Sequence, residues 1–249
     1  MKKAPFFILG SMRSGTTFLR NVLRQHPNLA APEETHFFRW PAAFGTNMYL
    51  SNARNNATLK KHRELDQITE TEFNALLKNS KSRAGLQKHY MELYMQKNKP
   101  TATRWFDKTP QNIYGATLIA EEFRHAKFVH IVRNPVNVIA SLRIGKVVKI
   151  DDLAAACAVW NEAAMLIHAL KKAYPRRVYE VKYEDFTTNL MPELEKLLQF
   201  IDEDFKTRYF NSISSSPREH DYELLFSPQE IKTIRRLCKR WMAHYGYDF

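Results

Sequence analysis

The first 27 residues contain an apolar run, a loop flanked by glycines and a segment of helical periodicity. Ala4–Leu9 is a continuous apolar run and predicts a buried strand. Gly10–Thr17 (GSMRSGTT) follows, and apolar residues then repeat at helical spacing until Pro27. Glycines let the main chain turn so that several N–H groups point at one anion, and a helix N-terminus adds its positive end. This segment therefore predicts an anion-binding loop between a strand and a helix.

The loop lacks two features of loops that bind nucleoside triphosphates with magnesium. Such loops place a lysine before their last Ser or Thr, whereas this chain has Thr16 there and Arg13 as the one cation of the loop. They also use an acidic residue at the end of a neighbouring strand, whereas the second apolar run, Ala126–Val132, is followed by Arg133. We therefore expect positive side chains and no metal ion. That arrangement suits a transferred group of lower charge than a phosphoryl group, such as a sulfuryl group.

Arg133 also begins a second candidate anion site. Ser141 follows it by eight residues, within a segment of helical periodicity. We expect the arginine at the carboxyl end of a strand and the serine two turns into the next helix. Adenosine phosphosulfate donors carry a second phosphate at the 3′ position, and this pair is a candidate to hold it.

The rest of the chain alternates short apolar runs with helical segments. Val178–Val181 is a third candidate strand, and helical periodicity covers residues 153–167, 194–201 and 227–246. The last helix begins with a capping box and a proline at its first position. Strands that alternate with helices predict an α/β fold, in which a central parallel sheet of the P-loop type is flanked by helices. We expect a single domain over residues 1–249.

Residues 41–104 break this alternation. They hold eleven Lys or Arg against five Asp or Glu and contain no convincing buried strand. Within them, Ser51–Asn56 (SNARNN) predicts a loop. We interpret residues 41–104 as a mostly helical insertion on the acceptor side of the active face.

Composition limits the class of protein. An aromatic content of 12% excludes global disorder, and no run approaches the ~18 apolar residues of a membrane span. The apolar run at the N-terminus is too short for a signal peptide. Two cysteines, Cys157 and Cys238, exclude a disulfide scaffold or a Cys-rich zinc module and favour a reducing compartment. We expect buried thiols and a soluble, cytoplasmic protein.

The net charge of +12 indicates an anionic partner without identifying it. Nucleic acid, an acidic lipid surface, a nucleotide or a polyanionic acceptor would each fit this charge. Nucleic-acid binding would need aromatic residues interleaved with basic ones, or a known module, and the sequence has neither.

In its motifs the chain resembles the sulfotransferases that use 3′-phosphoadenosine 5′-phosphosulfate (PAPS) and release 3′-phosphoadenosine 5′-phosphate (PAP). The likeness lies in FILGSMRSGTT, PEETHFF, FDKTP, FVHIVRNPVNVIASL, VKYEDF and the terminal GYDF, in that order. The loop arginine and PEET look most like tyrosylprotein sulfotransferases, and ETHFF also looks like glycosaminoglycan sulfotransferases. Cytosolic steroid and phenol sulfotransferases fit less well, because they place a lysine in the loop and use a histidine base.

The resemblance implies two sets of donor contacts. Arg13 and the main-chain N–H groups of the loop would hold the 5′-phosphosulfate; these N–H groups belong to Ser14, Gly15, Thr16 and Thr17. Arg133 and Ser141 would hold the 3′-phosphate. Arg218, in the serine-rich loop before the last helix, is a candidate for a further 3′-phosphate contact.

The resemblance also implies the catalytic residues, which are Glu34, Lys108, His36 and the phosphosulfate-binding Arg13. Glu34 would take the proton from the acceptor hydroxyl, and Lys108 would steady the bridging oxygen and the departing phosphate. His36 would orient the acceptor or Glu34. Glu33 is adjacent to Glu34, so the two side chains are expected to point different ways, one of them toward a basic residue. Without the resemblance, Lys108 would be interpreted as a surface lysine and His36 as a packed loop histidine.

Two functions follow from this sequence. The first is transfer of a sulfuryl group from PAPS to an acceptor hydroxyl on a protein tyrosine, a carbohydrate or a small metabolite. The basic insertion could dock an acidic peptide or glycan, and it could equally cover a small hydroxylated metabolite. The alternative is a small-molecule kinase with a degenerate P-loop, which predicts magnesium dependence and nucleoside-triphosphate binding. The absent loop lysine and the absent strand-end acid speak against the kinase.

Overall fold

A computed structural model describes residues 3–145, 148–213 and 225–248 of the chain. Its strands form a five-stranded parallel sheet in the order β2-β3-β1-β4-β5. They are β1 (Phe6–Leu9), β2 (Leu29–Ala30), β3 (Arg104–Lys108), β4 (Lys127–Val132) and β5 (Val178–Lys182). The predicted α/β class with a central parallel sheet flanked by helices is confirmed.

Helices connect these strands. They are α1 (Thr16–Leu23), α2 (Asn47–Asn55), α3 (Ala57–Leu65), α4 (Glu70–Asn79), α5 (Arg83–Asn98), α6 (Ala116–Glu122), α7 (Pro135–Arg143), α8 (Leu153–Ala173), α9 (Tyr183–Thr188), α10 (Leu190–Phe200) and α11 (Pro228–Tyr245). Short 3-10 helices cover Pro110–Gly115 and Thr207–Tyr209.

The chain divides into two compact units. The first unit comprises the described residues of Met1–Leu9, Thr17–Val129 and Lys206–Ser212. The second unit comprises those of Gly10–Thr16, His130–Phe205 and Ile213–Phe249. The single domain expected over the whole chain stays a prediction.

In the first unit, buried aromatic residues align β1 with β3. Phe6 lies in register with Phe106, and their rings stack with centroids 4.6 Å apart. Ile8 is in register with Lys108, so the last residue of β3 lies beside the end of β1. Because the two strands are parallel, the loop that follows β1 starts at the same edge of the sheet at which β3 ends.

In the second unit, α7, α8 and α11 share one buried apolar cluster. Trp160 is 1% exposed within this cluster, and Cys157 and Cys238 lie beside it on α8 and α11. Both cysteines are free and buried. The interpretation of both as buried thiols is confirmed.

Among the residues that the structure describes, α8 is the one helix long and apolar enough to cross a membrane by length and composition. The core helix of a globular protein passes the same test, and α8 buries Trp160, Ile167 and Leu170 within the protein. The cytoplasmic location stays a prediction.

The last helix forms as its sequence predicts. The Ser227 side chain accepts a hydrogen bond from the Glu230 N–H, and the Glu230 carboxylate accepts one from the Ser227 N–H. Pro228 occupies the first turn, and Gly246 ends the helix in the left-handed conformation at φ 64°.

Two predictions were incomplete or wrong. The sequence did not reveal β2 and β3, because β2 has two residues and β3 carries Arg104, Asp107 and Lys108, whose charges hide a buried strand. Ser51–Asn56 does not form a loop, since α2 runs to Asn55. The Thr46 side chain caps α2 by accepting from the Tyr49 N–H, and the buried face of the helix outweighs its polar composition.

Candidate active site

The glycine loop ends at the N-terminus of α1, as predicted. Arg13 has a positive φ of 67°, which is uncommon for a residue with a side chain and is found mostly at functional or strained positions. The Ser14 hydroxyl donates to the Ser11 carbonyl at 2.7 Å and closes the turn. The first turn of α1 contains no acidic residue, so the helix N-terminus and its first N–H groups are favourable to an anion.

Gly15 is required where it stands. Its φ is +95°, and a Cβ there would lie 2.2 Å from the Tyr183 ring. On the same ring, the Arg133 guanidinium carbon lies 4.4 Å from the centroid, within the range of a cation–π contact. Tyr183 therefore links the loop to the residue that follows β4.

The neighbouring Glu184 holds the turn after β4. Its carboxylate accepts from the Asn134 N–H at 2.9 Å and from the Tyr247 hydroxyl at 2.9 Å. The YED and GYDF motifs therefore act together on the Arg133–Asn134 turn. This geometry gives the YED segment a structural role in fixing that turn.

Arg13 and Ser141 lie together. The Arg13 Nε donates to the Ser141 hydroxyl at 2.9 Å, and Ser141 lies on α7, two turns after Arg133. Arg13, Arg133 and Ser141, assigned from the sequence to donor binding, are thus all in the second unit. Arg218 lies outside the described residues.

The first unit holds a cluster of Glu34, His36 and Lys108, which we call the base cluster. The Lys108 ammonium is paired with the Glu34 carboxylate and donates to the Thr17 hydroxyl at 3.1 Å. Lys108 is 1% exposed, so it is no surface lysine. Thr17 is the second residue of α1, and Lys108 therefore reaches the first turn of that helix.

The ion pair controls the charge of Glu34. Burial raises the pKa of the Glu34 carboxyl, but the hydrogen bond from His36 and the charge of Lys108 outweigh burial and lower it to about 2. Burial lowers the pKa of Lys108, and the negative charge of Glu34 offsets only part of this lowering. At neutral pH Glu34 is a carboxylate, and Lys108 weakens its basicity for as long as they stay paired.

His36 is a hydrogen-bond donor to Glu34. Its Nε2 lies 3.2 Å from Glu34 Oε2, and its Nδ1 lies 3.3 Å from an Arg39 nitrogen. A guanidinium cannot accept, so Nδ1 must accept and the ring proton is on Nε2. Burial also lowers the pKa of His36, although Glu34 acts in the opposite direction. His36 is therefore neutral at pH 7 and orients the Glu34 carboxylate.

The two adjacent glutamates point different ways, as predicted. Glu33 pairs with Arg20 at 2.6 Å and with Arg24 at 3.3 Å. The Glu33 N–H donates to Asp66 at 2.8 Å. Glu33 is thus occupied by two arginines, whereas Glu34 belongs to the base cluster.

Several residues of these sites were missed from the sequence. Arg39 and His62 contact the base cluster, since His62 Nδ1 lies 2.9 Å from the Glu34 carbonyl oxygen. Thr35 and Asp107 form a buried hydrogen bond behind it. Three of these residues stand inside or beside motifs that carried the resemblance, PEETHFF and FDKTP, but nothing in a motif specifies which of its members contact each other.

The sequence of the chain is similar to those of known proteins. A sequence model of the Sulfotransferase family matches residues 5–207, which is most of the chain. Protein-tyrosine sulfotransferase 1 of Danio rerio is 24% identical over 199 residues, covering 78% of this chain and 52% of the relative. The chain thus spans about half the length of that relative.

Solved structures share the fold. The sulfotransferase domain of an olefin synthase from Synechococcus PCC 7002 aligns with a TM-score of 0.72 at 22% identity, covering 99% of this chain and 97% of that one. A mouse sulfotransferase complexed with PAP aligns with a TM-score of 0.54 at 14% identity, covering 97% of this chain and 84% of that one.

Proposed function

The chain belongs to the sulfotransferase family, and we propose from this that it transfers a sulfuryl group from PAPS to the hydroxyl of an acceptor. One observation carries the proposal. A buried lysine, Lys108, contacts a carboxylate and also the first turn of the helix that the glycine loop opens. Such a lysine can stabilise a leaving group while the carboxylate accepts a proton.

The second unit is suited to the adenosine bisphosphate part of the donor. Arg13 and the loop N–H groups would hold the 5′-phosphosulfate, since a helix N-terminus and a guanidinium both favour an anion. Gly15 supports this fit, because it lets the main chain of the loop turn at φ +95° while the Tyr183 ring lies where a side chain would be. PAPS, when bound, supplies the sulfuryl group and a phosphate leaving group.

Arg133 and Ser141 are proposed to hold the 3′-phosphate. The cation–π contact with Tyr183 and the Glu184 bond to the Asn134 N–H fix the turn from which Arg133 extends. A guanidinium whose turn is fixed in this way loses less conformational freedom when it binds a phosphate.

In the base cluster, Glu34 is the proposed general base. A carboxylate paired with a lysine is a weak base, so proton transfer requires that Lys108 turn toward negative charge on the donor. Once that charge competes for Lys108, the pKa of Glu34 rises toward its ordinary value. His36 keeps the second carboxylate oxygen in place through Nε2.

The acceptor is proposed only by class. Its hydroxyl must reach Glu34, and the three candidates remain a tyrosine, a carbohydrate and a small metabolite. Helices α2, α3, α4 and α5 form most of residues 41–104 and carry the excess of basic residues. We propose that this segment is the acceptor side and that an acidic acceptor is favoured.

Sulfuryl transfer can be measured directly. The purified chain is incubated with ³⁵S-labelled PAPS and a panel that contains a tyrosyl peptide with acidic neighbours, a desulfated glycosaminoglycan and a phenol. We expect label on at least one acceptor, in the presence of EDTA. Transfer of ³²P from γ-labelled ATP with magnesium, without any transfer of ³⁵S, would favour the kinase instead.

A further inference from the structure

A buried polar network lies behind the base cluster, in the first unit. The Asp107 carboxylate accepts hydrogen bonds from Thr35 at 2.9 Å, from Thr109 at 3.2 Å and from Asn112 at 2.9 Å. Asp107, Thr109 and Asn112 are 0% exposed and Thr35 is 4% exposed. Within the described ranges no lysine, arginine or histidine pairs with this carboxylate. Its donors among the described residues are therefore all neutral.

The network extends to α5. Thr35 Oγ1 lies 3.1 Å from the Gln87 side-chain amide, which is also 0% exposed. In the structure this hydroxyl faces Gln87 Oε1, but its single proton already goes to Asp107, so we assign the amide the other way round, with Nε2 donating to Thr35. This orientation gives an acceptor to Gln87 Nε2, which has none among the described residues when the amide is turned the other way.

Thr35 lies in the chain between Glu34 and His36, two residues of the base cluster. Its own N–H donates to the Thr109 hydroxyl at 3.0 Å. Successive side chains of a strand point to opposite faces of a sheet, so Asp107 and Lys108 lie on the two faces of β3. Glu34 pairs with Lys108 on one face while Thr35 bonds to Asp107 on the other. The segment is thereby fixed to β3 at two consecutive positions.

We propose that Thr35 and Asp107 are positioning residues, which hold the loop so that Glu34 lies between Lys108 and His36. This inference rests on the proposed function, in which Glu34 is the general base. The two-position attachment fixes the direction of the loop as well as its place. His36 has a left-handed main chain with φ 57°, and the bond to the preceding Thr35 holds it there.

Stability does not explain this network. Burial raises the pKa of Asp107 to about 6, although its three donors act to lower it, so the charged form at neutral pH reduces the stability of the fold. Apolar side chains of the same volume could be buried here at a lower cost in folding free energy. A buried carboxylate that weakens the fold and directs the loop next to the base is understandable as a functional feature.

The test compares three variants. Thr35→Val removes the hydroxyl and keeps the shape, Thr35→Ser keeps the hydroxyl, and Tyr245→Phe removes a buried hydroxyl that bonds to Glu180 in the second unit. With ³⁵S-labelled PAPS and the best acceptor of the panel, we expect Thr35→Val to lower kcat about 10- to 100-fold. KM for PAPS and the Kd for PAP should stay within about twofold. Thr35→Ser and Tyr245→Phe should keep kcat near that of the unaltered chain.

A second readout does not require activity. Carboxyl ¹³C NMR of the folded protein at about pH 4 reports the ionisation of Glu34. We expect an ionised Glu34 in the unaltered chain and in Thr35→Ser, and a partly protonated Glu34 in Thr35→Val. The proposal is overturned if Glu34 stays ionised in Thr35→Val, or if Thr35→Ser loses as much kcat as Thr35→Val. An unaltered chain that neither binds PAP nor transfers sulfate contradicts the proposed function alone, since the NMR comparison still decides the positioning role.

Discussion

At the scale of single residues, the sequence singled out candidate side chains but did not predict which of them contact each other. Glu34 and Lys108 belong to the base cluster of the first unit, and Arg13, Arg133 and Ser141 lie in the second unit. The contact between Arg13 and Ser141 spans 128 positions of the chain. No periodicity or local motif encodes a contact between residues so far apart, so only the fold reveals it.

Glu34→Gln should abolish most turnover and leave the donor bound. The amide keeps the size of the side chain but cannot accept a proton from an alcohol, and general-base catalysis contributes about 10²- to 10⁴-fold. We expect kcat to fall by that factor while the Kd for PAP, measured by calorimetry, changes less than about threefold. Glu33→Gln is the matched control, because Glu33 is occupied by Arg20 and Arg24. Equal losses of kcat in both variants would contradict the assignment of the base.

Arg133→Ala should weaken the binding of PAPS much more than the binding of adenosine 5′-phosphosulfate, which has no 3′-phosphate. A charge-assisted hydrogen bond contributes about 1.5–3 kcal/mol, or roughly 10- to 100-fold in Kd. Competition calorimetry of the two donors gives the ratio. Arg143→Ala is the control, since Arg143 is paired with Glu230 at 2.8 Å. Similar weakening of both donors by Arg133→Ala would rule out the proposed partner.

At the scale of secondary-structure elements, caps and apolar runs were predictable and charged strands were not. The capping box of α11 and the apolar runs of β1 and β4 define those elements locally. β3 was missed because its buried Arg104, Asp107 and Lys108 are polar and each depends on distant partners for burial. The same charges that hide the strand carry the base cluster and its supporting network.

The turn into α1 can be tested through Gly15. Gly15→Ala introduces both a strained φ of +95° and a clash with the Tyr183 ring. Gly45→Ala is the control, because its φ is +85° and no atom of the described residues lies within 4 Å of the added Cβ. Both variants should lose about 1–3 kcal/mol of unfolding free energy from main-chain strain. Only Gly15→Ala should weaken PAP binding, raising the Kd by at least about tenfold. Unchanged PAP binding in Gly15→Ala would show that the loop is not the donor site.

At the scale of the whole molecule, buried carboxyl groups determine how stability depends on pH. Burial raises the pKa of Asp66 and of Asp107 to about 6, so their protonation stabilises the fold as the pH falls from about 6 to 4. His36 opposes them in this window, because burial lowers its pKa. Glu34 and Glu180, despite burial, have pKa values lowered to about 2 by their partners, so their contribution is lost from about pH 4.5 downward.

These opposing effects predict an optimum of thermal stability near pH 5. Above that pH, protonation of Asp66 and Asp107 adds more stability than protonation of His36 removes. Below it, ion-paired glutamates, Glu33, Glu34 and Glu180 among them, lose their contribution. Melting temperatures measured from pH 7 to pH 3 at constant ionic strength should therefore rise slightly and then fall. Asp66→Asn should flatten the rise. A steady fall from pH 7 would contradict the account of the buried carboxyl groups.

Membership of the sulfotransferase family is also a property of the whole chain, because the order of the six motifs identified the family better than any single motif. Composition did not separate nucleic acid, lipid, nucleotide and acidic acceptor as partners of a chain with net charge +12. In the proposed function the acceptor is selected by the surface that residues 41–104 form, and such a surface has no local sequence signature.

We propose that the chain binds a bisphosphorylated adenosine through arginine side chains and main-chain N–H groups. Isothermal titration calorimetry tests it most directly, by comparing PAP in EDTA with ATP in excess magnesium. We expect PAP to bind with a Kd of about 10 μM or tighter and ATP at least about 100-fold more weakly. Tight binding of ATP with magnesium and no binding of PAP would contradict the claim.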